Sequence, residues 1–174
     1  IGCHRGWSTA HLAAGVKQLD VIDPVLADAA HFADVEQSLT SAGVRDKCAL
    51  YGAVSPAKVH ELIKERGRPW SFIFVDGDHE PDGPLWDAQT VANCAARDAI
   101  IVFHDLASPV VAEGLAYLRS IGWSCLVFQT MQIMGVAWRG NVRPAHHRPD
   151  PNIRWTLPDH LFLFDPRKPR SSDR

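Results

Sequence analysis

Two short clusters of carboxylate and imidazole side chains follow apolar stretches in the middle of the chain. The cluster Asp76-Gly77-Asp78-His79 follows residues 70–75, and His104-Asp105 follows residues 99–103. Carboxylates that lie close together raise one another's pKa, and a divalent cation relieves that repulsion. Oxygen-rich ligation favours Mg²⁺, Ca²⁺ or Mn²⁺ over zinc, and histidine is suited to accept a proton near neutral pH. The clusters therefore predict a metal-assisted site for proton removal. The alternative is that the aspartates only form Asx-turns and the histidines only cap strands.

A third candidate is the glycine loop at the start of the sequence. Gly2 and Gly6 lie four residues apart in a predicted strand-to-helix turn, and Ser8 and Thr9 follow. Glycines in such a turn let a ligand approach the backbone amides closely. Because no Gly-Lys-Ser/Thr ending follows, the loop does not match a triphosphate-binding loop. The spacing fits either a loop for another small ligand or a plain tight turn.

Two residues near this loop have alternative interpretations. Asp23 closes the next predicted strand, where a carboxylate can accept hydrogen bonds from both ribose hydroxyls of an adenosine-type ligand; alternatively, it caps a helix. Cys3 lies in the loop itself, but the neighbouring sequence lacks a Cys-His-acid arrangement. Thiol catalysis is therefore not expected.

The elements that must position these residues alternate between strand and helix. Predicted strands cover residues 19–23, 47–51, 70–76, 99–103, 123–129 and 132–138, and predicted helices cover residues 8–14, 26–41, 55–67, 84–96 and 109–120. Ser8 and Ser55 are the predicted N-caps of their helices. Apolar strands alternating with helices predict a parallel sheet covered on both faces. The short gap between the last two strands predicts an antiparallel hairpin at the sheet edge.

The predicted fold class is therefore α/β: a doubly wound, Rossmann-like, mostly parallel sheet with a C-terminal antiparallel hairpin. Only Ile1 precedes the glycine loop, so the first strand is expected to lie largely upstream of the numbered sequence. Ligands of such sheets bind outside the carboxyl ends of the strands. The glycine loop, Asp23, residues 52–55 and both Asp/His clusters are therefore expected along one edge.

Length and composition restrict the classes of function. The chain has 174 residues and a formal net charge of -2, so it lacks the basic face that nucleic-acid binding requires. No apolar run reaches the ~20 residues that span a bilayer. The four cysteines are scattered without metal-finger spacing, which predicts a reduced, cytoplasmic protein. The oligomeric state, including a homo-oligomer, stays open.

A change in composition divides the predicted globular part from a tail. Residues 1–140 are predicted to form one domain, and residues 141–174 a proline- and arginine-rich tail that is partly disordered, especially over residues 166–174. His146 and His147 are expected to be solvated. The apolar residues 161–164 are expected to dock either on the domain or on a partner.

Taken together, the motifs resemble those of class I S-adenosylmethionine (SAM)-dependent methyltransferases. More narrowly, they resemble the branch with macrocin- and mycinamicin-type sugar O-methyltransferases and cephalosporin hydroxylase-like proteins. The matching pieces are residues 1–9, 21–23, 72–79 and 101–105, together with Asp87. The resemblance extends over residues 1 to about 140.

The resemblance implies a cofactor site and a catalytic site. The residues implied to bind SAM are Gly2, Cys3, Gly6, Ser8, Thr9, Asp23, Ser55 and Asp76. The glycine loop would hold the methionine end, Asp23 the ribose, and Ser55 would lie near the adenine. Asp76, His104 and Asp105 would bind Mg²⁺ or another divalent cation. His79 would be the base that deprotonates a hydroxyl of a small-molecule acceptor, with Asp76 as the second catalytic residue.

Two departures from the family pattern and three other functions complete the sequence-based interpretation. His104 stands where these enzymes carry an acid, and residues 95–99 replace a Gly-Gly turn. The alternatives are a metal-free methyltransferase in which His79 acts alone, a non-catalytic SAM-binding module of a larger biosynthetic protein, and a metal-dependent hydrolase. Dedicated His-Asp phosphohydrolases are all-helical, which makes the hydrolase the weakest alternative.

Overall fold

The computed structural model describes residues 1–152, 154 and 156–165. The chain divides into two compact units, Ile1–Gly67 and Arg68–Arg174. Among the described residues, no helix has the length and hydrophobicity needed to span a membrane.

The first unit combines a parallel strand pair with three α-helices. Its α-helices are α1 (Trp7–Gly15), α2 (Ala29–Ser41) and α3 (Ser55–Arg66), its strands are β1 (Leu19–Ile22) and β2 (Cys48–Tyr51), and two 3-10 helices cover Pro24–Ala27 and Arg45–Lys47. Residues Leu19 and Ile22 pair with Cys48 and Tyr51 in parallel register. The start of the glycine loop is hydrogen-bonded to the end of β1, because Gly2 N–H donates to Ile22 O at 2.9 Å.

Burial of one face of α2 holds the first unit together. Val35 and Leu39, one helical turn apart, are both fully buried in the core cluster that includes Val21 and Leu26 on and after β1. Burying a side chain of this size contributes about 1.5–3 kcal/mol relative to exposing it. Asp28 fixes the start of the helix, because its Oδ1 accepts the N–H of His31 at 2.8 Å.

A buried ion pair connects the end of α3 to the two strands of the first unit. The Arg66 guanidinium donates from Nη1 to Asp20 Oδ2 at 2.7 Å and lies 2.5 Å from Asp20 Oδ1. Its Nη2 also donates to the Tyr51 hydroxyl at 3.0 Å. Side-chain exposure is 20% for Arg66 and 7% for Asp20. The last turn of α3 is thereby tied to both β1 and β2.

The second unit contains a four-stranded sheet with two α-helices. Its elements are β3 (Trp70–Val75), α4 (Gly83–Cys94), β4 (Ala95–Phe103), α5 (Pro109–Ser120), β5 (Ser124–Phe128), β6 (Met134–Arg139) and a 3-10 helix at Asp159–Phe164. The strand order is β3-β4-β6-β5. β3 and β4 are parallel, whereas β6 is antiparallel to both β4 and β5. Strands β3, β4 and β5 therefore run in the same direction. The predicted antiparallel hairpin of β5 and β6 is confirmed. Strand β6 lies in the interior of the sheet, next to β4.

Tight packing of α5 on the sheet depends on glycine at two positions. A Cβ at Gly114 would lie 2.8 Å from both Phe103 Cε1 and Pro84 O. A Cβ at Gly135 would lie 2.5 Å from Leu106 Cδ2 and 2.8 Å from Leu115 Cδ2. These distances are shorter than non-bonded contacts allow. A Cβ at Gly114 would meet the backbone oxygen of Pro84, whereas a Cβ at Gly135 would require the two leucine side chains to shift.

Several boundaries differ from the sequence-based predictions by one to four residues, and three of these differences come from helix caps or strand partners. α1 begins at Trp7 with Gly6 as its N-cap, and α3 begins at Ser55 with Val54 as its N-cap. Ser8 and Ser55 are therefore first-turn residues and not caps. The N-cap of α1 lies two residues before Ser8 and the N-cap of α3 one residue before Ser55, because Gly6 and Val54 have the non-helical backbone of a cap.

The third difference is that β4 begins at Ala95 instead of residue 99. Its pairing with β3 is interrupted, since Trp70 pairs with Ala95 but Phe72 with Ile100. Arg139 compensates for the irregularity by donating to Ala96 O at 3.0 Å and to Ala95 O at 2.6 Å. A charged side chain from the neighbouring strand thus allows residues 95–98 to extend the strand.

Part of the described chain after residue 140 packs on the second unit, where the 3-10 helix Asp159–Phe164 contacts α5 and β5. Leu161 and Phe164 are 0% and 4% exposed, which decides between the two docking alternatives in favour of the chain itself. The prediction that His147 is solvated is wrong, because its Nε2 accepts the N–H of Gln129 at 2.8 Å and its ring stacks on Phe128. The predicted disorder of residues 166–174 falls outside the described residues. The domain boundary at residue 140 stays a prediction.

Candidate functional site

The glycine loop of the first unit is a tight turn with a left-handed backbone. Gly2 and Gly6 have φ of 82° and 85°, and His4 between them has φ of 45°. Gly6 N–H donates to Cys3 O at 2.7 Å, and Ala10 N–H donates to Gly6 O at 2.9 Å as the helix starts. Left-handed φ strains any residue with a Cβ, and a Cβ at Gly6 would also lie 3.4 Å from Val35 Cγ1. The left-handed φ of position 6 therefore favours glycine, whereas the contact with Val35 alone would not exclude a Cβ.

Asp23 supports this loop with both carboxylate oxygens. Its Oδ2 accepts the N–H groups of Cys3 at 2.8 Å and His4 at 3.1 Å, and its Oδ1 accepts Val25 N–H at 3.0 Å. Burial alone would raise the pKa of Asp23, but the backbone hydrogen bonds outweigh it and hold the pKa below its usual value. Asp23 is thus the N-cap of the 3-10 helix as well as the support of the glycine loop.

Cys3, in the same loop, is a protonated and unreactive thiol. Its side chain is buried, and burial together with the nearby Asp23 carboxylate raises its pKa to about 12. A thiol is nucleophilic only as the thiolate. The backbone amide of Cys3 is therefore the group that this residue contributes to the loop.

The remaining predicted cofactor residues of the first unit lie at helix starts. Ser8 and Thr9 occupy the first turn of α1, where the first N–H groups of a helix have no acceptor within the helix. Ser55 is buried at the start of α3. Gly52, just before it, packs so closely on the 3-10 helix that a Cβ would lie 2.5 Å from Ala27 N. The predicted loop, strand-end and helix-start residues thus all belong to the first unit.

The register of β3 and β4 brings the two Asp/His clusters of the second unit together. Val75 pairs with Phe103, so Asp76 and His104 are the next residues along the two strands. His104 N–H donates to Val75 O at 3.0 Å and continues the ladder by one bond. The carboxyl ends of two neighbouring parallel strands therefore place the two clusters side by side, as the sequence predicted.

Four side chains meet at this edge within short distances. His104 Nδ1 lies 3.0 Å from Asp105 Oδ1 and 3.5 Å from Asp76 Oδ1. His79 Nε2 lies 3.5 Å from Asp105 Oδ2. The candidate ligand atoms of Asp76, His79 and Asp105 all lie within 4.8 Å of one another. The structure therefore brings these four residues together, but the group of possible cation ligands contains His79 and not the predicted ligand His104.

Two features show that this edge is not electrostatically satisfied by the protein. His104 Nδ1 is buried without a hydrogen-bond partner, because its short approach to Asp105 lacks hydrogen-bond geometry. Burial raises the pKa of Asp76, and the Asp105 carboxylate adds to the increase, whereas the two imidazoles lower the pKa without offsetting it. An orphaned nitrogen and two crowded carboxylates fit a bound cation, which would accept all three groups as ligands.

Asp78 and Asp87 belong to the structure around the site. Asp78 Oδ1 accepts Glu80 N–H at 3.0 Å, and a Cβ at Gly83 would lie 2.9 Å from Asp78 Oδ2. For Asp78 the simple interpretation as a turn aspartate is therefore correct. Asp87 is buried in α4 at 3% exposure.

Asp105 owes its position to an unusual backbone conformation that the sequence did not reveal. Its φ is 59°, in the left-handed region that residues with a Cβ seldom adopt. The loop is held by hydrogen bonds from Ser108 N–H to Asp105 O at 2.9 Å and from Leu106 N–H to Ile133 O at 3.0 Å. Ile133 is itself left-handed, with φ of 56°. Because the side chain of Ile133 is apolar, a search for polar motifs does not reveal that its carbonyl holds the loop after Asp105.

The chain was compared with known families and structures. A family model described as a methyltransferase domain matches residues 1–106, which include the glycine loop, Asp23 and both Asp/His clusters. No curated protein matches the chain by sequence.

Several solved structures share the fold at low sequence identity. The O-methyltransferase from Bacillus cereus in complex with SAH is 15% identical, with a TM-score of 0.66 over 80% of this chain and 72% of that chain. The O-methyltransferase TomG from Streptomyces achromogenes, involved in tomaymycin synthesis and solved with SAM, is 17% identical, with a TM-score of 0.65 over 80% and 71%. A putative O-methyltransferase from Klebsiella pneumoniae is 19% identical, with a TM-score of 0.61 over 80% and 70%.

These similarities confirm the predicted α/β, Rossmann-like fold and the resemblance to class I methyltransferases. Because the family model matches more than half of the chain, this protein belongs to the methyltransferase-domain family.

Proposed function

We propose that the chain is an SAM-dependent O-methyltransferase that methylates a hydroxyl of a sugar or another small molecule with the help of a divalent cation. The observation that carries this proposal is the meeting of Asp76, His79, His104 and Asp105 at the ends of β3 and β4 in a chain of the methyltransferase-domain family. Structures with the same fold were solved with SAM or SAH, which supports SAM as the methyl donor.

The glycine loop and its support are the proposed SAM site. Gly2 and Gly6 leave room at the backbone, and the first-turn N–H groups of α1, at Ser8 and Thr9, suit the carboxylate of the methionine end. The Asp23 carboxylate accepts three hydrogen bonds, from the backbone N–H groups of Cys3, His4 and Val25. A carboxylate has about four acceptor positions, and the Cys3 side chain also hydrogen-bonds to Asp23, so a ribose hydroxyl would take the position of the thiol while the three backbone hydrogen bonds hold the loop.

Asp76, His104 and Asp105 are the proposed cation ligands. His104 Nδ1 is buried beside both carboxylates and has no hydrogen bond, so this nitrogen would be able to coordinate a cation together with them. A divalent cation bound there supplies a positive charge that lowers the pKa of a coordinated hydroxyl.

His79 is the proposed base. Its side chain is 43% exposed, against 26% for His104, so it is the imidazole of this edge that an acceptor reaches more readily. Asp105 Oδ2, 3.5 Å from His79 Nε2, stabilises the imidazolium that forms when His79 takes the proton. The proton of the acceptor hydroxyl thus passes to His79, and the oxygen becomes the nucleophile.

The SAM site is tested by calorimetric titration of SAH into matched glycine variants. Gly6→Ala is expected to weaken SAH binding at least about tenfold, because a Cβ at φ of 85° distorts the loop. Gly15→Ala at the other end of α1 is the control, because nothing lies within 4 Å of its Cβ. Folded wild-type protein that binds neither SAM nor SAH would contradict the methyltransferase proposal.

The catalytic roles are tested with His79→Gln and His104→Gln. We expect His79→Gln to keep Mn²⁺ binding but to lose methyl transfer to hydroxylated acceptors, and His104→Gln to lose Mn²⁺ binding. The reverse pattern would exchange the two roles. Transfer that is insensitive to EDTA would favour the metal-free enzyme, and SAM binding without turnover on any acceptor would favour the non-catalytic module.

A further inference from the structure

The loop that carries Asp105 is held by hydrogen bonds to other segments of the chain as well as by a hydrogen bond within the loop. Asp105 is left-handed, with φ of 59°, a conformation that persists only where the surroundings hold it. Leu106 N–H and Ala107 N–H donate to Ile133 O at 3.0 Å and Gln132 O at 3.3 Å. The amide side of the loop is thus tied to the segment before β6, and the Leu106 carbonyl points elsewhere.

The Leu106 carbonyl is bound by a residue from the tail. His160 Nε2 lies 2.9 Å from Leu106 O, across 54 positions of sequence. Because a carbonyl oxygen only accepts, the imidazole must carry its proton on Nε2. The Leu106 side chain is fully buried, so this hydrogen bond fixes the backbone at the residue directly after Asp105.

The tail segment around His160 is itself anchored on the second unit. Leu161 and Phe164 are buried, with 0% and 4% exposure, and the two residues between them are exposed. Arg119 on α5 donates to the backbone oxygen of Leu163 and places its guanidinium 5.5 Å from the Phe164 ring. His160 is therefore presented from a docked turn and not from a free chain.

We infer that His160 is a positioning residue for the cation site, acting through Leu106 to hold Asp105 in its left-handed conformation. This inference rests on the proposed function, because it assigns the purpose of the contact to a cation ligand. The stretch that the family model matches ends at residue 106, the residue whose carbonyl His160 contacts. Partners that orient metal ligands typically change metal affinity 10–100-fold when removed.

The experiment compares the full chain with three variants, using Mn²⁺ as the probe. The variants are His160→Ala, His160→Gln, which keeps an N–H donor near the position of Nε2, and Leu163→Ala, whose side chain is 73% exposed and whose backbone oxygen is retained. Mn²⁺ affinity is measured by calorimetry, and amide hydrogen exchange is measured at Leu106 and Ser108 without metal. We expect His160→Ala to raise the Kd for Mn²⁺ by about tenfold and to accelerate exchange, His160→Gln to restore both, and Leu163→Ala to change neither.

The outcomes separate failure of this inference from failure of the proposed function. A His160→Ala variant that binds Mn²⁺ within about twofold of wild type would overturn the inference, as would equal defects in His160→Ala and His160→Gln. Wild-type protein that binds no Mn²⁺ would overturn the cation site of the proposed function. In that case the exchange rates alone decide whether His160 holds the loop: unchanged rates in His160→Ala refute it, and faster rates support it.

Discussion

Asp23 and Asp76 both stand directly after a β-strand, and the fold treats their charges in opposite ways. Asp23 accepts three backbone N–H groups, which hold its pKa low despite burial. Burial and the neighbouring Asp105 raise the pKa of Asp76. The first unit thus favours the ionised form of Asp23, whereas the second unit disfavours the ionised form of Asp76. The difference separates a residue that supports a loop from one that we propose as a cation ligand.

The two units extend this contrast beyond the two aspartates. In the first unit, the buried Asp20 carboxylate is also paired, with the Arg66 guanidinium. In the second unit, the partners of the Asp76 and Asp105 carboxylates are the imidazoles of His104 and His79, which are charged only when protonated. Substitutions should therefore cost stability in the first unit and ligand binding in the second.

The largest effect is expected for Asp105→Asn, which removes a charge but keeps the shape of the side chain. We expect the Kd for Mn²⁺ to rise at least about a hundredfold and methyl transfer to fall by roughly 10²–10³. Asp78→Asn is the control, because that exposed aspartate accepts the N–H of Glu80 in a turn that asparagine also forms. Calorimetry and initial rates measure the two effects. Equal Mn²⁺ affinity in Asp105→Asn and wild type would remove the contrast between the units.

Arg66→Ala is expected to lower the free energy of unfolding by about 3–5 kcal/mol, because it leaves the Asp20 carboxylate buried without its partner. Urea unfolding measures the loss. The double variant Asp20→Asn/Arg66→Ala should recover part of it, since the unpaired charge is gone. A double variant less stable than Arg66→Ala would show that the charge of Asp20 is not the cause.

Asp23→Asn is expected to lower the free energy of unfolding by about 1.5–3 kcal/mol, the value of hydrogen bonds to a charged acceptor. The pH dependence gives the sign. The folded pKa of Asp23 lies below its usual 3.8, so the stabilisation is fully present above pH 3.8 and is lost as the pH falls through the folded pKa. The difference between wild type and Asp23→Asn should therefore shrink below pH 3.8. A difference that is constant across this range would show that ionised Asp23 is not the stabilising form.

Asp76→Asn should have the smallest effect on stability and the opposite sign. In metal-free protein we expect the free energy of unfolding to stay the same or to rise by up to about 1 kcal/mol, because a buried carboxylate beside another is replaced by a neutral amide. Thermal unfolding in EDTA measures this change. Destabilisation as large as that of Asp23→Asn would mean that Asp76 is also a structural anion.

Much of the fold and the residues of the proposed cation site could be predicted from the sequence. Residues 70–75 and 99–103 are apolar enough to define neighbouring buried strands, and the polar residues that follow them must then meet. The backbone φ of Asp105 and the hydrogen-bond partners of Asp23 could not be predicted, because they depend on the local path of the chain. The extension of β4 to Ala95 was missed for a related reason: it depends on Arg139, which comes from a different strand.

The contribution of the tail could not be predicted either. His160 stands in a segment without strong periodicity, and its partner is a backbone carbonyl 54 residues away. Nothing in the residue type of Leu106 indicates that its carbonyl needs a donor. Contacts of this kind become visible only in three dimensions.

The position of β6 has a consequence for how the second unit is made. Within the described part of the chain β6 is the last strand to leave the ribosome, yet it lies between β4 and β5. Until residues 134–139 emerge, β4 lacks one neighbour and β5 has none in this sheet. Exposed strand edges are templates for aggregation. A nascent chain that pauses before Met134 is therefore a natural client for chaperones that shield strand edges.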